Sequence, residues 1–177
     1  MVRRCLPFVL LIALLAAATA GAGQALPPQQ GPAAQSDQVR QGVSHFEQAF
    51  YKHLPHGRGP EANQEFDLAI AQFELELSRR PSSAAAHSYL GRIHALRKDW
   101  RKSGEHYDRL SEIVPENVDA LVLAALAYGE LGELAEARAR LMTARERTTD
   151  PAALATLGGY LAKLDALERR SREGGAR

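Results

Sequence analysis

The chain has 177 residues, enough for one domain, and its 22 Lys+Arg against 21 Asp+Glu leave a net charge of +1. So balanced a surface has no basic field for phosphates, which argues against nucleic acid as the main partner. Aromatic residues make up only 6% of the chain, and Ala, Leu, Glu and Arg dominate. Straight side chains and Ala lose little rotamer freedom in a helix, so the expected fold class is all-α.

Residues 1–25 have the three-part layout of a secretory signal peptide. Arg3 and Arg4 give a cationic start, and an apolar run extends from Leu6 to Ala18. Small residues then offer cleavage sites at Ala18-Thr19-Ala20, Ala20-Gly21-Ala22 and Gly23-Gln24-Ala25. The run is short for a membrane span, which needs about 20 residues, so no stable span is expected after cleavage, with an uncleaved N-terminal anchor as the alternative. Cys5 lies inside the leader, so the exported chain would carry no cysteine for disulfides, thiol chemistry or metal. Export to a bacterial periplasm is the expected localisation. Residues 26–36, Pro- and Gln-rich, are expected to be a flexible linker.

From Asp37 onward the chain repeats itself at an offset of 34 residues. Phe66, Trp100 and Leu134 share one column, Ala69, Ser103 and Ala137 a second, and Phe73, Tyr107 and Leu141 a third. Pro81 pairs with Pro115, His87 with Leu121, Leu90 with Ala124, Gly91 with Ala125, and His94 with Tyr128. Lys98 and Gly132 fall at the turn inside each unit. Apolar residues three and four apart on either side of that turn predict a helical hairpin per unit, closed by proline because a helix cannot continue through one. Small residues at Gly91 and Ala125 let the paired helix axes approach closely.

These units resemble tetratricopeptide repeats, whose pattern is W-x2-L-G-x2-Y, then A-x3-F, then P. The second unit carries Leu90, Gly91, Tyr107 for Phe, and Pro115; the third carries Ala125, Tyr128 and Ala137; the first matches at Ala69, Phe73 and Pro81. The resemblance implies a helix-turn-helix superhelix, an α-solenoid, over residues 37–168, in units at about 37–83, 84–117 and 118–150. A capping helix at 151–168 would close the open end, starting at Asp150-Pro151 and seamed by Leu154, Leu157, Leu161 and Leu164. Arg169–Arg177 is expected to be a disordered tail. The first unit departs from the pattern: its leading helix, about Asp37 to His53, has a stripe at Val39, Val43, Phe46 and Phe50, and Leu54–Pro60 reads as an inserted loop. Such a loop is either a surface excursion or part of a binding face.

No catalytic constellation is visible, and the chain is expected not to be an enzyme. Its serines lack G-x-S-x-G or S-x-x-K surroundings, and no glycine loop suits a phosphate. His87 and His94 fall where the family buries Trp and Tyr, while His53 and His56 flank Pro55 in the expected loop, so neither metal nor cofactor is expected. The resemblance instead places ligand-facing columns at Ala85, Ser88, Arg92, Ala95 and Leu96, and again at Asp119, Val122, Leu126, Gly129 and Glu130. Leu96, Val122 and Leu126 would form an apolar strip, with Arg92 on one side and Asp119 and Glu130 on the other. That groove implies a protein or peptide partner, an amphipathic helix or extended apolar segment, for an exported scaffold or adaptor. The alternatives are that the last helix or a second copy covers the strip, or that the repeats serve self-association or an accessory subunit of a cell-envelope complex.

Overall fold

The computed structural model describes residues 36–175, so the expected leader and nearly all of the linker lie outside the described residues. Among the described residues the regular structure is seven α-helices with no strand. No helix there is long and apolar enough to cross a membrane.

Helix α1 (Asp37–Glu47) opens at Ser36, whose Oγ accepts the Val39 N–H at 3.1 Å and donates to Glu76 Oε2 at 2.6 Å. Ser36, read from sequence as the end of the linker, is thus the cap of the first helix. The chain stays helical beyond α1, widening by one residue per turn over Gln48–His53 and tightening over Leu54–His56. The loop expected at Leu54–Pro60 therefore shrinks to a turn. Pro55 lies in the first turn of the tight segment and Pro60 in the first turn of α2 (Gly59–Arg79), where a missing N–H costs nothing.

The second hairpin joins α3 (Ala84–Leu96) to α4 (Trp100–Ile113), and the third joins α5 (Val118–Glu130) to α6 (Leu134–Arg147). Their turns are built alike. Lys98 has φ 60 and Gly132 φ 76. Asp99 N–H donates to His94 O at 2.8 Å and Lys98 N–H to Ala95 O at 3.0 Å; 34 residues on, Glu133 N–H donates to Tyr128 O and Gly132 N–H to Gly129 O, both at 3.0 Å. This left-handed cap satisfies the last carbonyls of each leading helix. Ser83, Asp99 and Asn117 cap α3, α4 and α5 through their side chains.

The same turn occurs in the first hairpin at Gly57, with φ 67, Gly57 N–H on Leu54 O and Arg58 N–H on His53 O. Around it the helical stretches are longer: α1 with its extension reaches from Asp37 to His56, and α2 has 21 residues where α4 and α6 have 14. Seven extra residues are close to two full turns, so the buried face keeps its direction.

Helix α7 (Pro151–Gly175) closes the array. It runs past the expected end at residue 168, so the described part of the predicted tail is helical. Arg138 of α6 holds it there, pairing with Asp165 at 2.5 Å and Glu168 at 3.1 Å.

Consecutive helices pack side by side, α4 and α5 as fully as the two helices of any hairpin, and α3 also touches α1. That is an α-solenoid. The apolar interior falls into two clusters. One spans α1 to α3 and includes Phe46, Phe66, Phe73, Leu90 and Ile93; the other spans α4 to α7 and includes Tyr107, Leu121, Tyr128, Leu141, Leu157 and Leu164. Close approach is tightest at two glycines. A Cβ on Gly42 would come within 2.7 Å of the Phe73 ring, and one on Gly91 within 2.9 Å of the Tyr107 ring.

Candidate binding face

The leading helices bury one side against their own hairpin and leave another side uncovered. On α3, Ala86, His87, Leu90, Gly91, Ile93 and His94 are buried, and on α5 Ala120, Leu121, Ala124, Ala125, Ala127 and Tyr128 are. The predicted ligand-facing positions are what remains. Arg92, Leu96 and Asp119 are exposed, and Ala85, Ser88, Ala95, Val122, Leu126, Gly129 and Glu130 are half-buried. Spacings of three and four place them along one stripe of each helix. Leu96 is 36% exposed. Val122 reaches the second apolar cluster from this side.

Charge on the face is placed by neighbours from other units. The Arg92 guanidinium lies over the Phe46 ring, 5.3 Å from its centroid, and among the described residues no carboxylate pairs with it. Burial pushes the Glu130 carboxyl above its usual range while the charge of Lys98, in the turn after α3, pulls it down. The turn after α3 and the end of α5 are thus electrically close.

The first hairpin adds aromatic residues outside the predicted ligand-facing positions. Phe46 stacks on Phe50 at 5.6 Å, and Phe50 meets Tyr51 edge-on at 5.0 Å. Tyr51 is 66% exposed. Tyr89 of α3 packs between Phe46 and Phe73, at 5.2 and 5.1 Å. The stripe Val43, Phe46, Phe50 signalled the ring cluster, and Tyr51, the next residue in the chain, lies off that stripe.

A second polar group lies between α4, α5 and α6 and is structural. Asp108 accepts from Tyr128 Oη at 2.8 Å and from Arg140 at 2.9 Å, and Arg140 also pairs with Glu136. Burial, then the Asp108 hydrogen bond, pushes the Tyr128 hydroxyl up to about 12. It therefore stays protonated and keeps donating. Among the described residues no group of three or more His, Cys, Asp or Glu could hold a metal ion.

The paired left-handed turns, the glycine-to-ring contacts and the 34-residue register decide the architecture. The stack is tetratricopeptide-like. No protein-family model and no curated protein matches the chain. Solved structures similar to this tetratricopeptide-like stack include the first tetratricopeptide domain of Spaghetti (RPAP3) bound to the HSP90 peptide SRMEEVD, 15% identical over 70% of this chain and 95% of that one, with a TM-score of 0.48. The N-terminal domain of stress-induced protein-1 (STI-1) from C. elegans is 12% identical over 74% of this chain and 99% of that one, with a TM-score of 0.49. A mutant of MamA is 13% identical over 73% and 90%, with a TM-score of 0.43. The likeness concerns fold alone, and the repeat assignment rests on the packing described above.

Proposed function

We propose that this protein is an exported, non-enzymatic interaction scaffold whose leading-helix face binds an apolar segment of another polypeptide. The observation that carries this reading is the uncovered stripe of α3 and α5. Leu96, Val122 and Leu126 sit there beside an exposed Arg92 with no carboxylate partner among the described residues. Half-exposed leucines flanked by separated charges suit an amphipathic helix or extended segment, with apolar contacts giving affinity and charge fixing orientation. Export rests on the leader-like layout of residues 1–25.

Leu126→Asp tests the reading. Leu126 is half-buried and not part of either apolar cluster, so the substitution should abolish capture of the partner while circular dichroism and melting stay as in the wild type. Retained binding with an intact fold would refute the face as the binding surface. Self-association is the competing use of the same stripe. Light scattering that finds a monomer at micromolar concentration removes it.

A further inference from the structure

The second hairpin is held together differently from its neighbours. Beside the approach of Gly91 to the Tyr107 ring, the α3–α4 contact buries a serine and a group of histidines. Ser103 Oγ donates to Gly91 O at 3.0 Å in a buried site. His87 and His94 on α3 are both 7% exposed, and His106 on α4 is half-buried between them. His87 Nδ1 lies 3.1 Å from His106 Nδ1, and His87 Nε2 lies 3.0 Å from Pro81 O. The His94 ring stacks on His106, centroids 5.6 Å apart and 7° from parallel, with its Nδ1 3.3 Å from Asp99.

The proton arrangement follows from the acceptors. Pro81 O can only accept, so His87 Nε2 carries a hydrogen and its Nδ1, in the neutral ring, is a lone pair. His106 Nδ1 must then be the donor across the 3.1 Å gap. An added proton goes to His106 Nε2 and leaves that ring cationic in a site packed between two other imidazoles. A charge on His106 would also face the stacked His94 ring at close range.

We propose that His94 and His106 form an acid-released latch, with His87 as the fixed partner that ties His106 to the Pro81 turn: neutral, His94 and His106 fasten α3 to α4, and protonated, they let the second hairpin open.

The surroundings favour the neutral state. Lys102 and Arg97 oppose a positive charge here, while Asp99 and Glu74 favour one; these are the charged groups that act on the cluster from α4, the α3–α4 turn and α2. Burial first, and then the neighbouring imidazoles, lower the His106 pKa to about 4; burial likewise lowers His94. The latch is a property of the fold and stands whether or not the adjacent stripe binds a partner. Since α3 also carries Ser88, Arg92 and Leu96, opening the hairpin would remodel that stripe.

Amide hydrogen exchange on the full chain, corrected for intrinsic rates and compared at pH 7.5 and pH 5, reads the latch directly. Protection within Ala84–Ile113 should fall at least tenfold at pH 5, while Val118–Arg147 keeps its protection. His106→Phe, which keeps a ring but cannot titrate, should hold the second hairpin closed at both pH values. Uniform loss over both hairpins, no loss in either, or unchanged acid sensitivity in the folded variant would overturn the proposal. Titration of the wild-type histidine ring signals by NMR gives an answer even where the variant fails to fold. A His106 midpoint well below pH 6 supports the latch, and one at 6.5 or higher overturns it.

Discussion

Replacing Gly91 and Gly158 by alanine, one at a time, separates the cost of close helix approach from intrinsic helix preference. Both glycines follow a buried leucine, Leu90 or Leu157, in the leading position of a unit. At Gly91 an added Cβ would meet the Tyr107 ring at 2.9, 3.0 and 3.1 Å, and Tyr107 is itself only 3% exposed. At Gly158 nothing lies within 4 Å, since among the described residues no helix packs a ring against that side of α7. Each substitution gains about 1 kcal/mol from helix propensity, so that part cancels in the comparison. Overpacking at Gly91 costs about 1–3 kcal/mol, because the buried ring must leave its rotamer or push α4 away. Gly158→Ala should therefore be more stable than wild type by up to about 1 kcal/mol, with Gly91→Ala about 1–3 kcal/mol below it. Urea melts followed by circular dichroism resolve this gap, since the midpoint moves while the slope stays constant. Equal midpoints for the two variants would refute the packing of Tyr107 onto α3.

Three further outcomes follow from the same geometry. Lys98 holds φ 60 where the matching turn has Gly132, so Lys98→Gly should raise stability by about 1 kcal/mol and Gly132→Ala should lower it by a similar amount in thermal melts. Unfolding free energy should be greatest above pH 6.5 and fall as pH drops toward 4, because the unfolded chain takes up the His106 proton first; the full shift corresponds to about 3 kcal/mol, and partial exposure reduces the expected loss to about 1–2 kcal/mol in denaturant titrations across that window. Glu76, where burial raises the carboxyl but hydrogen bonds from Ser36 and Arg80 hold it lower overall, should contribute a further loss only below its ordinary value of 4.5. Ser36→Ala should fray α1 selectively, costing about 1 kcal/mol or more as both the cap and the Glu76 contact go, which hydrogen exchange in Asp37–Glu47 would report.

Columns that recur at 34 residues were legible because each is a repeated packing solution. Leu90 and Ala124 are both fully buried, and Phe73, Tyr107 and Leu141 all sit in the interior. The first hairpin was harder to read. Its extra turns remove it from the 34-residue offset, so Gly42, which lies against Phe73 as Gly91 lies against Tyr107, shares no column with Gly91. Gly42 lies 49 residues before Gly91, 15 more than the repeat, because eight extra residues fall between Gly42 and the Gly57 turn and seven after it. The loop expected from Leu54-Pro55-His56-Gly57 became a turn because proline is harmless at a helix start. The closing helix runs on past its predicted end, and its anchoring through Asp165 and Glu168 to Arg138 on α6 is an interaction no local pattern announces. His106 escaped notice for the same reason: only the folded hairpin brings it to His87 and His94. The positions named from the resemblance lie outside the buried side of α3 and α5, whereas the aromatic edge at Phe50 and Tyr51 belongs to the irregular unit and carried no such column.

A photo-reactive amino acid placed at Leu126 or at Met142, with adducts captured in cells, tests the central claim most directly. Met142 is 43% exposed on α6, the second helix of the third hairpin. Covalent adducts to another polypeptide from position 126 and none from 142 are the predicted result. Adducts from 142 alone would place the partner on the second helices and contradict the binding face described for α3 and α5.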